Sequence, residues 1–145
     1  MLFLARNVDS SSVAINSIAQ SLEISRKFLE KILVELGSEG LVSSKKGRSG
    51  GYFISKDLNN ISLADIVRIL EGPIALLPCA SHRFYEPCKE CESPDKCSLQ
   101  DALVNVRNST VHSLKSIKIS DILLNEEKLN RGILKPQRPI PFKEK

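Results

Sequence analysis

Residues 14–38 hold two short apolar-periodic segments separated by three residues, and that spacing limits the fold more than any other feature of the chain. Val13, Ile15, Ile18, Ala19 and Leu22 recur at helical intervals in the first segment, and Phe28, Leu29, Ile32, Leu33 and Leu36 do so in the second. Ser10, Ser11 and Ser12 offer N-caps for a helix from about Ala14 to Leu22, and Ser25 is placed to cap a helix over Arg26 to Ser38. Glu23-Ile24-Ser25 leaves room only for a tight turn, while Gly37 and Gly40 flank the second helix's end. The five apolar residues of the second helix should face a core, with Arg26, Lys27, Glu30, Lys31 and Val34 outside. Two short helices around such a turn, the second basic at its N-terminal end, make a helix-turn-helix whose second helix enters the major groove.

A hairpin is expected next, with strands Leu41-Val42-Ser43-Ser44 and Gly51-Tyr52-Phe53-Ile54 joined by Lys45-Lys46-Gly47-Arg48-Ser49-Gly50. Three glycines within 47–51 let this backbone bend sharply and approach another surface closely. Cations at its tip can meet phosphate or enter the minor groove, so the hairpin reads as a wing. The candidate DNA-contacting residues are Ser25, Arg26, Lys27 and Lys31 on the helix, with Lys45, Lys46, Arg48, Ser49 and Gly50 on the wing.

Charge agrees with that reading. The chain carries a net +4, and residues 25–56 alone hold seven cations against three carboxylates. A second basic block lies at 126–145, whereas 1–24 and 57–125 are net acidic. Double-stranded DNA suits such a block, because each neutralised phosphate releases condensed counterions. A solvated basic face is the bland alternative.

Ser62 should cap a helix from Leu63 to about Leu70, with Leu63, Ile66, Val67 and Leu70 as its apolar face and Glu71-Gly72-Pro73 as its stop. Ser98 should cap a long helix to about Ser116. Along it Leu99, Ala102, Leu103, Val106, Thr110, Leu114 and Ile117 form a narrow apolar stripe. A narrow stripe on a long helix suits pairing with a second copy, hence a homodimer; packing back on its own head is the alternative. The fold class is thus mainly α with a small β-hairpin. A winged helix-turn-helix head (1–77) precedes a cysteine-rich loop (78–98), a dimerisation helix with a C-terminal segment (99–124) and a basic tail (125–145) without regular structure.

The loop holds all four cysteines, spaced Cys79-x8-Cys88-x2-Cys91-x5-Cys97. No apolar run approaches the roughly 18–20 residues that cross a bilayer, so no membrane is expected. The start MLFLARNVDS has no cationic lead, so the chain should be cytoplasmic, where disulfides are disfavoured. Four buried structural thiols do not suit a loop this polar. Metal ligation is left as the main reading, and both zinc and an iron–sulfur cluster accept four thiolates, with a thiol switch as the alternative. His82 and His112 read as surface residues. A redox enzyme using Cys88 and Cys91 is the rival class, but the chain has no glycine-rich phosphate loop and no Ser/His/Asp arrangement.

From Ile18 to Leu77 the chain resembles the IscR/NsrR (Rrf-type) family of bacterial winged-helix regulators. The matching stretches are Ile18-Ala19 through Ile24-Ser25, Phe28-Leu29-Glu30-Lys31-Ile32-Leu33, Gly40-Leu41-Val42, Gly47-Arg48-Ser49-Gly50-Gly51-Tyr52, Ile61-Ser62-Leu63-Ala64-Asp65-Ile66 and Glu71-Gly72-Pro73. A weaker match continues to Ser120-Asp121-Ile122-Leu123. The resemblance implies a homodimer on a partly palindromic operator, bound through the helix at 25–38 and the wing at 45–51. It also implies an iron–sulfur cluster, 2Fe-2S or 4Fe-4S, in the cysteine loop. Cys91-x5-Cys97 resembles the last two of the family's three cluster cysteines. Tyr85 stands where the first would fall, so Cys88 or Cys79 must substitute. The family's first helix starts upstream of Met1 and in some members adds a cluster ligand. Leu2, Leu4 and Ala5, which read as the end of an apolar helix face, agree with such an upstream start.

Overall fold

The computed structural model describes residues 1–8, 12–47, 50–89, 91 and 93–137. Helix α1 spans Leu2–Arg6, α2 Ile15–Ser21 and α3 Arg26–Ser38. Strands β1 (Val42–Lys45) and β2 (Gly51–Ile54) pair antiparallel, with Val42 opposite Ile54 and Lys45 opposite Gly51. Helices α4 (Leu63–Leu70), α5 (Ser98–Ser116) and α6 (Ile119–Asn130) complete the chain, which is mostly helical with one two-stranded hairpin. No helix among the described residues is long and apolar enough to cross a membrane.

The turn between α2 and α3 works as its sequence suggests. Glu23 takes a positive φ of 54°, the amide of Ile24 donates back to Ala19 O at 3.1 Å, and Ser25 Oγ accepts from the amide of Phe28 at 3.2 Å. The cap of α2 differs: Ala14 holds that position, and Ser10 and Ser11 lie outside the described residues. Val13 instead extends the hairpin. Its amide donates to Tyr52 O at 2.9 Å and its carbonyl accepts from Tyr52 N at 2.8 Å.

The core of the head is built from Leu4, Ala5, Ile18, Leu29, Leu33, Leu36, Leu41, Val42 and Ile61. On α3 the buried set is Leu29, Leu33 and Leu36, while Phe28 is 57% exposed, contrary to the expected core position. Phe28 lies about 100° around the helix from Leu29, off the stripe that Leu29, Leu33 and Leu36 define. The core-facing set of α4 also differs from expectation. Ala64 is fully buried, Ile66, Ile69 and Leu70 pack on the core cluster, and α4 also touches α5.

The largest departure lies beyond the loop. The long helix ends at Ser116, and Ile117 leaves the helical conformation at φ −87°, ψ 114°. Residues 117–119 then run beside 61–63: the amide of Leu63 donates to Ile117 O at 2.9 Å, and that of Ile119 to Ile61 O at 3.0 Å. Ile119 is 1% exposed, so α6 starts inside the core of the head. It packs on α1, where Arg6 grips Glu126 through two hydrogen bonds of 2.9 and 2.6 Å, and it runs past Asn125 to Asn130. The residues expected to begin an irregular tail are therefore helical.

Candidate nucleic-acid interface and cysteine loop

Ser25, Arg26, Lys27 and Lys31 stand exposed on α3, and Lys45 and Lys46 stand exposed on the hairpin. One cavity of about 320 Å³ brings the two groups together, with Arg26 and Glu30 on one wall and Lys45, Lys46, Gly47, Gly50 and Gly51 on the other. The start of α2 closes it through Ala14, Ile15 and Asn16. Asn16, which residue-type arguments passed over, therefore belongs to this surface. Arg48 and Ser49 lie outside the described residues.

Two of the helix cations are already engaged: Arg26 Nε donates to Glu30 Oε1 at 2.9 Å, and Lys31 Nζ lies 4.0 Å from Glu35 Oε1. Such exposed i,i+4 pairs are worth only a few tenths of a kcal/mol, so a phosphate can displace the carboxylates. Phe28 shares the N-terminal end of α3 with these cations and offers an apolar face of the kind that meets a thymine methyl.

The hairpin is held close to α2. A Cβ added to Gly51 would fall on the carbonyl of Val13, and one added to Gly50 would fall on the carbonyls of Lys45 and Gly47. Only glycine lets the strand approach Val13 this closely.

In the loop, the four cysteines are free thiols, Cys88 exposed and the other three half-buried. The amide of Cys91 donates to Cys88 O at 3.2 Å, closing the Cys-x2-Cys turn. A 3-10 turn over Pro94–Lys96 then delivers Cys97 to the N-terminus of α5. There Cys97, not the expected Ser98, is the cap: its Sγ accepts from the amide of Gln100 at 3.4 Å. Gln100 also donates through Nε2 to the carbonyl of Cys79 at 2.8 Å. One residue thus fastens both ends of the loop, a role no motif announced.

The Cys91 thiol is pushed up, first by loss of water around it, then by a hydrogen bond with the Cys97 thiol and the charges of Cys97 and Cys88; a backbone hydrogen bond at Ser93 opposes this. Cys91 therefore lies within electrostatic reach of both Cys97 and Cys88. Among the described residues, however, no three His, Cys, Asp or Glu side chains close into a metal cage. The donor type fits a soft cation, since mutual repulsion between neighbouring thiolates is what such a cation relieves.

Along α5 no residue is buried. Leu103, Val104, Arg107, Val111 and Leu114 are half-buried on one face, whereas Leu99 is 61%, Val106 50% and Ile117 37% exposed. The expected stripe therefore divides: Leu103 and Leu114 lie on the half-buried face, and Leu99, Val106 and Ile117 face outward.

A family model described as "Rrf2: Iron-dependent Transcriptional regulator" matches residues 1–125. An Rrf2-like HTH-type transcriptional regulator of Rhodobacter capsulatus is 35% identical over 119 residues, covering 82% of this chain and 79% of that protein. Among solved structures, CymR (YrzC), the global cysteine regulator of B. subtilis, superposes with a TM-score of 0.64 at 30% identity, over 83% of this chain and 84% of that one. IscR of T. potens does so with a TM-score of 0.67 at 25% identity, over 88% and 80%.

Proposed function

Because this chain belongs to the Rrf2 family of transcriptional regulators, we propose that it binds a double-stranded DNA operator as a cytoplasmic homodimer, with an iron–sulfur cluster in its cysteine loop setting operator affinity. The cavity that unites Arg26 with Lys45, Lys46 and Gly50 is the observation that carries the DNA-binding part. Ser25, Arg26, Lys27 and Lys31 enter the major groove on α3, and Lys45 and Lys46, with Arg48, Ser49 and Gly50, meet phosphate or the minor groove. Leu99, Val106 and Ile117 supply the apolar contacts of the second copy.

Cys88, Cys91 and Cys97 hold the cluster, with Cys79 brought to the same end of α5 by Gln100. The cluster, 2Fe-2S or 4Fe-4S, supplies a centre sensitive to oxygen, nitric oxide or iron supply. The chain's own part is to fasten the loop to α5, so that a change in the loop reaches the helix that pairs the two copies. A thiol switch is the second reading, favoured by the interaction of the Cys97 thiol with Cys91 that pushes the Cys91 thiol up, and a structural zinc is the third.

Anaerobic purification with iron, sulfide and zinc analysis, followed by retention on genomic DNA fragments, tests both parts. Visible absorbance with matched iron and sulfide, and retention that changes when the cluster is destroyed, is the expected result. About one zinc per chain and no colour would replace the cluster with a structural site. In the same assay, Lys45→Ala/Lys46→Ala should weaken retention and reduce the salt slope by about one to two. An unchanged slope would remove the wing from the interface.

A further inference from the structure

Among the described residues four cations form salt bridges, three of them with a carboxylate four positions away. Arg6 meets Glu126, Arg26 meets Glu30, Lys31 meets Glu35 and Arg131 meets Glu127. A different arrangement occurs where α4, the start of the cysteine loop and α5 meet. A cavity of about 270 Å³ there is lined by Arg68 from α4, His82 and Arg83 from the loop and Arg107 from α5, and no carboxylate lines it among the described residues. None of the three arginines forms a salt bridge among the described residues. Arg107 Nη1 donates to the neighbouring Asn108 Oδ1 at 2.7 Å, which leaves most of its donors unused.

Glu35, Glu39 and Asp65 line an adjoining cleft that Arg68 and Arg83 also border. Asp65 accepts from the Ser62 hydroxyl and amide at 2.7 and 3.0 Å and also interacts electrostatically with Arg68. Arg83 from the loop and Arg107 from α5 line the recess with Arg68 and form no salt bridge among the described residues, so the recess attracts an anion. The recess also has an apolar side, formed by Phe84 and Val111. The turn that presents Phe84 is fixed by its amide donating to the largely buried Ser81 Oγ at 3.1 Å.

We propose that this cavity is the binding site of a small anionic ligand, a carboxylate or phosphate carried on a short apolar body. The guanidiniums supply paired donors for the anion, as Arg does wherever planar recognition of carboxylate or phosphate is needed. The volume is below that of drug-sized pockets, which limits the ligand to the size of a small metabolite. An occupant would bridge the head, the loop and α5.

The test is a calorimetric titration of the purified full-length chain with phenyl phosphate, benzoate, inorganic phosphate and the neutral benzamide. Saturable binding of phenyl phosphate or benzoate is expected in the millimolar range or tighter, with none for benzamide. Arg83→Gln and Arg107→Gln should each weaken it at least about tenfold, with the circular dichroism spectrum unchanged. Arg83 is exposed, so its replacement leaves the core intact. Inorganic phosphate binding as tightly as phenyl phosphate would assign the site to the free anion; much weaker binding would assign it to an organic anion with an apolar body. Absence of saturable binding by all three anions, equal binding of benzamide, or binding that survives both substitutions would overturn the proposal.

Discussion

Ser62 and Lys118 pair as an antiparallel β-bridge, so the residue before α4 and the residue before α6 lie side by side. Each is followed three positions on by an aspartate that accepts its backbone amide, Asp65 at 3.0 Å and Asp121 at 3.1 Å. Two helix starts are thereby fastened at one point, next to Ile61 and Ile119, which are 0% and 1% exposed. The head and the C-terminal helix share this joint.

Ser62 is 3% exposed and its hydroxyl both accepts from the amide of Asp65 and donates to its carboxylate. Ser62→Ala should cost about 1–2 kcal/mol of stability, read from urea unfolding. Partial burial alone would raise the Asp65 carboxyl, but hydrogen bonds from Ser62 and the charges of Lys56 and Arg68 outweigh it and hold the carboxyl below its ordinary value. The folded pKa is therefore the lower one. Its contribution is fully present above the unfolded value of about 3.9 and is lost as pH falls through the folded value. Asp65→Asn should flatten the acid limb of stability against pH below about pH 4, and an identical limb would show that Asp65 does not shape it.

Gly51→Ala places a methyl on the Val13 carbonyl. The hairpin must then move off α2, with a loss of about 1–3 kcal/mol and faster hydrogen exchange at the Val13 and Tyr52 amides. Exchange rates equal to those of the parent chain would show that the strand absorbs the methyl without shifting.

In metal-free, reduced protein, Cys91 should be alkylated more slowly than a free cysteine at the same pH, because a raised thiol leaves less thiolate. Cys97→Ala should speed that reaction by removing the hydrogen-bonding partner. Site-resolved mass spectrometry with iodoacetamide measures both rates, and no change on removing Cys97 would refute the coupling.

Val106 is half exposed on α5, a helix with no buried residue, so Val106→Lys should leave the helix content intact. If the outward face joins two copies, the variant sediments as a monomer where the parent sediments as a dimer. A variant that remains dimeric moves the contact elsewhere.

Local signals carried much of this fold. Ser25 and Ser62 announced their helices because a short hydroxyl before an apolar-periodic run can accept from the first free amides, and both cap as expected. Phe28 misled because residue type says nothing about which side of a stripe an aromatic occupies, and the neighbouring leucines already filled the core. The helix end at about Ser116 was expected, but the pairing that follows it was hidden for a related reason. Ile117 continues the spacing of the stripe, and its departure from the helix is set by pairing with a strand-like segment more than fifty residues earlier. Long-range pairing leaves no periodic trace. Gln100 was equally silent, since an amide side chain on an exposed helix becomes informative only when Cys79 and Cys97 are seen on either side of it.

The double attachment of α5 has a mechanical consequence. Over 19 residues the helix spans about 28 Å. It is moored at one end by Gln100 and at the other by the joint at Lys118, with nothing buried between. Between these two points one face of the helix, with Leu103, Val111 and Leu114, lies against α4, so the rod is braced along its length as well as at its ends. A helix braced in this way behaves as one rigid piece, so the end that carries Cys97 and the end that meets Lys118 keep a fixed separation.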